Sequence, residues 1–206
     1  FPPVTLAGME AVTLQNRVDS KFFFPVTLLP EILSEITEQY QILEIDGKRM
    51  FAYESLYFDT PDFLLYRHHH NGRTNRLKVR YRKYLDSGIT YFEVKHRIKD
   101  SRTEKYRIRK TDIATTLTTD DMQKVHLPFV QIPQLLPSLF VYFQRITLVR
   151  IGHAERATID VHLRFVRNEE KLPLEELCIV EIKQEKNSVL SPLFQTLKRR
   201  LIHEQG

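Results

Sequence analysis

The sequence predicts an α+β fold in which an antiparallel β-sheet dominates and helices flank it, and three observations predict it. Several segments alternate apolar and polar residues with the period of two that a half-buried strand requires. Turn-forming clusters, "HNGRTN" and "LDSG", stand between such segments at hairpin spacing. Apolar residues at helical spacing recur near each end of the chain.

The elements follow in order. After a loose start, "PVTLLPEILSEITEQYQIL" places Leu29, Ile32, Leu33, Ile36 and Tyr40 on one face of a helix, with Pro30 near the first turn where its missing N–H costs least. The Glu and Gln residues of this helix form its solvated face. Strands are predicted at 51–60 ("FAYESLYFDT"), 76–84 ("RLKVRYRKY"), 90–98 ("TYFEVKHRI") and 104–110 ("EKYRIRK"). Residues 111–137 read as a helical excursion, with a short helix in "TDIATTLTTDDMQKV" followed by Pro128, Pro133 and Pro137, which forbid regular structure for long. Strands resume in "LFVYFQRITLVRI", "RATIDVHLRFV" and "LCIVEIKQ". The tail "SPLFQTLKRRL" then puts Leu193, Leu197 and Leu201 at helical spacing.

With 206 residues, 42% hydrophobic and 28% charged, the chain is long enough to bury a core and is expected to form a single domain over 1–206. Its net charge of +5 points weakly to anionic partners. The single cysteine, Cys178, cannot form an intramolecular disulfide and sits in a strand-like run, which suggests a reducing, cytoplasmic setting. Nothing approaches the roughly 20 apolar residues of a membrane span, and "FPPVTLAGME" lacks the form of a secretion signal. The first residue is not Met, so the chain reads as a trimmed fragment.

The strands share a pattern that carries the functional argument. Alternation puts Arg76, Lys78, Arg80 and Arg82 on one face of their strand; Glu93, Lys95 and Arg97 on one face of the next; and Lys105, Arg107 and Arg109 on one face of the third. Arg156, Asp160, His162 and Arg164 share a face in "RATIDVHLRF", as do Glu181 and Lys183 in "CIVEIKQ". A single charged face is ordinary in an antiparallel sheet. Three consecutive cationic faces with one Glu among them are not, because like charges opposite one another across strands destabilise the sheet. An anion is therefore expected against them. Single-strand nucleic-acid binders interleave aromatic stacking platforms with the cations, whereas Tyr81, Phe92 and Tyr106 fall on the opposite, core-side face. Guanidinium forks without stacking partners suit compact polyphosphates instead. If the sheet curls with these faces inward, a tunnel lined with Arg and Lys results.

Other residues have plainer readings. Three consecutive histidines, His68 to His70, cannot easily converge on one metal ion and abut an Asn-Gly turn. His162 could line a tunnel or serve structure. Asp59, before Pro61, reads as a turn or cap residue, and Tyr57 and Phe58 are expected in the core.

The order "RVDSKFFF", "YFDT", "KVRYRKY", "FEVKHR", "KYRIR", "VYFQR", "RATID" and "VEIK" resembles the VTC-type polyphosphate polymerase domain, a member of the triphosphate tunnel metalloenzymes and a relative of the CYTH proteins. The resemblance runs from about residue 15 to about residue 200. It implies an eight-stranded antiparallel β-barrel around a basic tunnel, with helices outside. It implies Lys21, Arg80, Arg82, Lys95, Arg97, Lys105, Arg107, Arg145 and Arg156 as phosphate-binding cations, to which the facial pattern adds Lys78 and Arg109. Lys21, Arg80, Arg82, Lys95, Arg145 and Glu181 would carry catalysis. Glu181 would hold Mn²⁺ or Mg²⁺ with phosphate oxygens and water, Lys183 would sit beside it, and Glu93 would be a second acid. ATP or another nucleoside triphosphate would donate its γ-phosphoryl group to a growing polyphosphate chain, with no nucleic acid involved. Hydrolysis of tripolyphosphate or nucleoside triphosphate, or sensing without turnover, are the rival activities. A membrane partner outside the chain is open. In place of the CYTH Glu-x-Glu-x-Lys opening the chain has Arg17, Asp19 and Lys21, which favours the VTC branch. No late Ser-Lys pair precedes Gly206, so the expectation is either a chain cut before that motif or an incomplete catalytic apparatus.

Overall fold

In the computed structural model, residues 1–12, 17–98, 103–125, 134–185 and 191–205 are described. In chain order the elements are β1 (Pro3–Val4), α1 (Leu6–Ala11), β2 (Arg17–Pro25), a 3₁₀ turn (Val26–Leu28), α2 (Leu29–Ile36), β3 (Tyr40–Leu43), β4 (Phe51–Asp59), α3 (Leu64–His70) and β5 (Arg76–Tyr84). They continue with β6 (Ile89–Arg97), β7 (Thr103–Lys110), α4 (Thr119–Gln123), β8 (Leu136–Arg150), β9 (Glu155–Arg167), β10 (Glu170–Leu174), β11 (Leu177–Glu185), α5 (Pro192–Arg199) and β12 (Glu204–Gln205). The fold is antiparallel, rich in sheet and poor in helix, as the sequence predicts. β2, β4, β5, β6, β7, β8, β9 and β11 are its long strands.

The chain divides into two compact units, the first comprising Phe1–Phe51, Phe143–Arg164 and Pro173–Gly206 and the second Ala52–Tyr142 and Phe165–Leu172. In unit 1, β11 pairs antiparallel with both β2 and β9, β12 pairs with β2, and β3 pairs antiparallel with β8 and parallel with β1. Alternation turns Phe22 and Phe24 of β2, Ile159 of β9, and Val180 and Ile182 of β11 inward, where they meet Ile32 and Ile36 of α2 and Leu193 and Leu197 of α5 in one apolar core. Ser191 caps α5 by accepting from the Phe194 N–H at 3.1 Å, and Pro192 follows at the helix start where its missing N–H is harmless. Glu35 of α2 ties the two helices together, accepting from Arg199 at 2.9 Å and pairing with Arg200.

In unit 2, β4, β5, β6 and β7 pair antiparallel in that order. Leu56, Phe58, Leu77, Val79, Tyr81, Phe92 and Val94 form its core with Leu65 of α3 and Val125 after α4. Asp59 serves as the cap expected of it: its carboxylate accepts from the N–H groups of Thr60 and Leu65 at 2.8 Å and of Tyr66 at 2.9 Å, which starts α3. α4 begins with a capping box between Thr118 and Asp121, and the Tyr81 hydroxyl donates to the same Asp121 at 3.0 Å.

Some expectations are corrected. Helical spacing carried the first helix to Tyr40, but α2 ends at Ile36 and Tyr40 opens β3. Tyr40 is buried because its hydroxyl bonds Glu155 and lies 3.1 Å from Ser191 Oγ, a tertiary network that local periodicity does not encode. α5 stops at Arg199, and Leu201 is 77% exposed with a left-handed φ of 57°, so it is not part of the apolar stripe. Pro137 is the second residue of β8, the strand-start position proline tolerates, while Pro128 and Pro133 lie outside the described residues. α1, β1, α3, the long strand β2, which falls in the segment read from sequence as a loose start, and the short strands β3, β10 and β12 were not anticipated. Among the described residues, no helix is long and apolar enough to cross a membrane.

Candidate functional site

Each unit carries its own set of charged strand residues. In unit 2 the cross-strand register sorts the predicted cations into rows on one face of β4 to β7. Arg76 lies opposite Arg97. Next, Lys78 lies opposite Lys95, which lies opposite Lys105, so three lysines stand side by side across three strands. The following row reads Tyr57, Arg80, Glu93 and Arg107, and the one after it Ser55, Arg82, Tyr91 and Arg109. Tyr53 pairs with Tyr84 where the face approaches the β5–β6 turn.

Glu93 organises the middle row. Its carboxylate is 2.6 Å from Arg80 Nη2 and 3.2 Å from Arg107 Nε. Arg80 also donates to the Tyr57 hydroxyl at 3.0 Å, Arg82 donates to Ser55 Oγ at 3.2 Å, and Arg107 donates to the Tyr84 hydroxyl at 2.8 Å. Burial opposes ionisation of Glu93, but Arg80, then Arg82 and Arg107, hold its carboxyl below the usual range. The same contest occurs at Tyr57: burial would raise its phenol, yet Lys78, Arg80 and Arg82 bring it down to about 7. A phenol so strongly acidified registers a dense positive field.

In unit 1 the neighbouring rows on β2, β11 and β9 read Lys21, Glu181, Thr158 and then Asp19, Lys183, Arg156. The Lys183 ammonium contacts Glu181 and lies 3.1 Å from Asp19 Oδ2. Arg17 pairs with Asp19 at 2.9 Å. Burial raises the Asp19 pKa, and Lys183 and Arg17 together lower it below the usual value. Arg145 of β8 grips Asp160 of β9 through two hydrogen bonds of 2.6 and 2.8 Å. Arg156 donates to the carbonyls of Met9 at 2.7 Å and Val12 at 3.4 Å, while its buried Nε has no partner among the described residues.

Whether these groups suit a divalent metal can be judged from Lys183. Its ammonium already occupies the place between two carboxylates, Glu181 and Asp19, and a hard divalent ion takes the same oxygen donors. Among the described residues no cluster of three or more His, Cys, Asp or Glu converges. Mg²⁺ held by one or two carboxylates plus substrate phosphates does not need one. Glu93, by contrast, spends its oxygens on two arginines. His68 to His70 form the last turn of α3, and His162 is exposed with a φ of 52°.

The structure thus places Lys78, Arg80, Arg82, Glu93, Lys95, Arg97, Lys105, Arg107 and Arg109 together on unit 2, and Lys21, Arg145, Arg156, Glu181 and Lys183 on unit 1. Sequence reasoning missed four tyrosines. Tyr57, assigned to the core, turns its hydroxyl to Arg80, and Tyr53, Tyr84 and Tyr91 ring the same cations. Aromatics are therefore not confined to the core side: these four rings share the cationic face. Tyr84 and Tyr91 were legible, being in phase with Arg82 and Glu93; Tyr57 needed the β4–β5 register. Asp19 was seen in its motif but not as the partner of Lys183.

A solved structure of a candidate adenylate cyclase from Bacillus halodurans is 13% identical, with 93% of this chain and 95% of that one covered at a TM-score of 0.57, a likeness of fold alone. A candidate adenylate cyclase from Vibrio parahaemolyticus is 14% identical over 92% of this chain and 83% of that one, with a TM-score of 0.49. A candidate adenylyl cyclase from Hippeastrum, described as having a dominant triphosphatase activity, is 13% identical over 92% and 90%, with a TM-score of 0.42. Among curated proteins none matches in sequence. The VTC domain model matches residues 16–205, and with nearly the whole chain so covered, the chain belongs to the VTC domain family.

Proposed function

We propose that the chain is a polyphosphate polymerase-like phosphotransferase that accepts nucleoside triphosphate and polyphosphate, works as one functional domain in the cytoplasm and uses Mn²⁺ or Mg²⁺. The observation that carries this reading is the row Lys78, Lys95, Lys105, set beside Arg80 and Arg107. Three ammonium groups in one row beside two guanidinium forks match an anion with several closely spaced negative charges. Membership of the VTC domain family supports the same ligand class.

Phosphoryl transfer asks little covalent work of a protein; it asks for charge neutralisation and in-line positioning. The unit 2 cations would bind phosphate oxygens, with Arg80 and Arg82 supplying planar forks and the lysines point charges. Glu93 fixes two arginines before a ligand arrives, so their order is not lost on binding. In unit 1, Glu181 and Asp19 would hold the divalent ion, which when bound supplies charge neutralisation at phosphate oxygens. Lys21, Arg145 and Arg156 add cations there.

The test is ³¹P NMR of the protein with Mn²⁺, ATP and tripolyphosphate. Growth of the internal-phosphate signal with loss of the ATP γ-phosphate is expected. Orthophosphate as the sole product would replace the transferase by a hydrolase. Unchanged spectra with broadened tripolyphosphate lines would mean a binding module without turnover.

A further inference from the structure

The charged face of unit 2 is not uniform along its strands. Toward Arg76 and Arg97 it carries cations; toward the β5–β6 turn it carries Tyr53, Tyr84 and Tyr91, all half-buried. These rings form a chain, with Tyr53 and Tyr84 centroids 5.0 Å apart at 57° and Tyr84 and Tyr91 centroids 6.1 Å apart at 84°. Arginines are threaded among them. The Arg107 guanidinium lies 3.5 Å above the Tyr91 ring and donates to the Tyr84 hydroxyl at 2.8 Å, and the Arg82 guanidinium lies 5.6 Å from the Tyr53 ring.

We infer that this end is a nucleobase subsite, in which the Tyr91–Arg107 stack with Tyr84 beside it receives the base of a nucleoside triphosphate whose phosphates run toward Lys78, Lys95 and Lys105. The inference rests on the proposed function and adds which end of the face takes which end of the substrate. Aromatic rings and guanidinium planes are the surfaces on which unpaired bases stack. The lengths agree: Tyr91 and Lys95 are four residues apart on one strand, about 13 Å at roughly 3.3 Å per residue, which spans a base and its extended triphosphate. Glu93, midway between them, holds Arg80 and Arg107 on that path. Because every base presents a π face, the subsite takes nucleoside triphosphates as a class, purines by their larger area ahead of pyrimidines.

Calorimetric titration of ATP and of tripolyphosphate into the full chain separates this subsite from the phosphate site. In Tyr91→Ala, and in Tyr91→Leu, which keeps bulk on the strand but removes the ring, ATP affinity is expected to fall by about 5-fold to 150-fold while tripolyphosphate affinity stays within about twofold of the parent. Tyr91→Phe restores ATP affinity, and retained tripolyphosphate binding shows that each variant is folded. Unchanged ATP affinity in the Ala and Leu variants overturns the subsite, as does equal weakening of both ligands, which would mean that the rings only position cations. A parent chain that binds neither ligand overturns the proposed function itself, a result distinct from both.

Discussion

The charged strand residues of the two units are built on opposite principles. In unit 1 cations meet acids: Lys183 lies between Glu181 and Asp19, Arg17 is on Asp19, and Arg145 grips Asp160 with both arms of its fork. In unit 2, Glu93 is the acid among the cations on that face of β5, β6 and β7, and lysine stands opposite lysine opposite lysine. In unit 1, Arg17, Lys183 and Arg145 each meet an acid within the fold. On the proposed function, the face of unit 2 with its excess of cations would take the phosphates, and the face of unit 1 would offer carboxylates to a metal.

Loss of Arg80 and Arg82 together strikes the cationic face hardest. Hydrogen bonds to charged groups contribute about 1.5–3 kcal/mol each, so Arg80→Ala/Arg82→Ala is expected to lose more than about 100-fold in tripolyphosphate affinity at fixed ionic strength. Unchanged affinity would put the anion elsewhere and leave the lysine row unexplained. Glu181→Gln reads the other side. Tripolyphosphate binding should survive it while the activity loses its response to Mn²⁺; an equal Mn²⁺ response in variant and parent would free Glu181 from the metal role.

Tyr57 reports the field on the unbalanced face. Its phenol ionises at about 7 in the folded chain against an ordinary 10.0, the cations Lys78, Arg80 and Arg82 outweighing the burial that would raise it. Since the folded value is the lower one, ionised Tyr57 adds stability that is complete above the unfolded value of 10.0 and is lost as pH falls through about 7. The parent should therefore gain stability over Tyr57→Phe as pH rises across that window, and its tripolyphosphate affinity should fall more steeply than the variant's, because the phenolate competes for the same cations. Parallel curves for the two proteins would show that the field is weaker than the register implies.

How much of this could be read from the sequence depended on how local each signal was. The bounds of β5, β6 and β7 fall within a residue of the predicted segments, because alternation and the turn signals both lie inside the hairpins. The cationic composition of each face was legible for the same reason. Register was not: that Lys78, Lys95 and Lys105 form one row, that Glu93 falls between Arg80 and Arg107, and that Tyr57 joins them rather than Phe58 are facts about pairing between strands. Tyr40 and Leu201 show the converse error, since helical spacing continues on paper past the point where Glu155 captures one side chain and a left-handed backbone turns the other away. The Arg145–Asp160 pair joins two strands, and neither motif alone announces it.

One substitution on each face should move stability in opposite directions. Arg145→Ala would leave Asp160, whose side chain is 15% exposed, without the guanidinium that pairs with it, so urea unfolding should show a loss of about 1–2 kcal/mol. Lys105→Ala removes an exposed cation that faces Lys95 across the strand pair, and surface changes of that kind stay within about 0.5 kcal/mol. The expected change is a slight gain in the free chain, because repulsion is relieved, turning into a net loss when tripolyphosphate is added, because a binding charge is gone. A loss of stability at Lys105 in the absence of anion would mean that the row is already compensated within the fold, and the two faces would then differ in degree and not in kind.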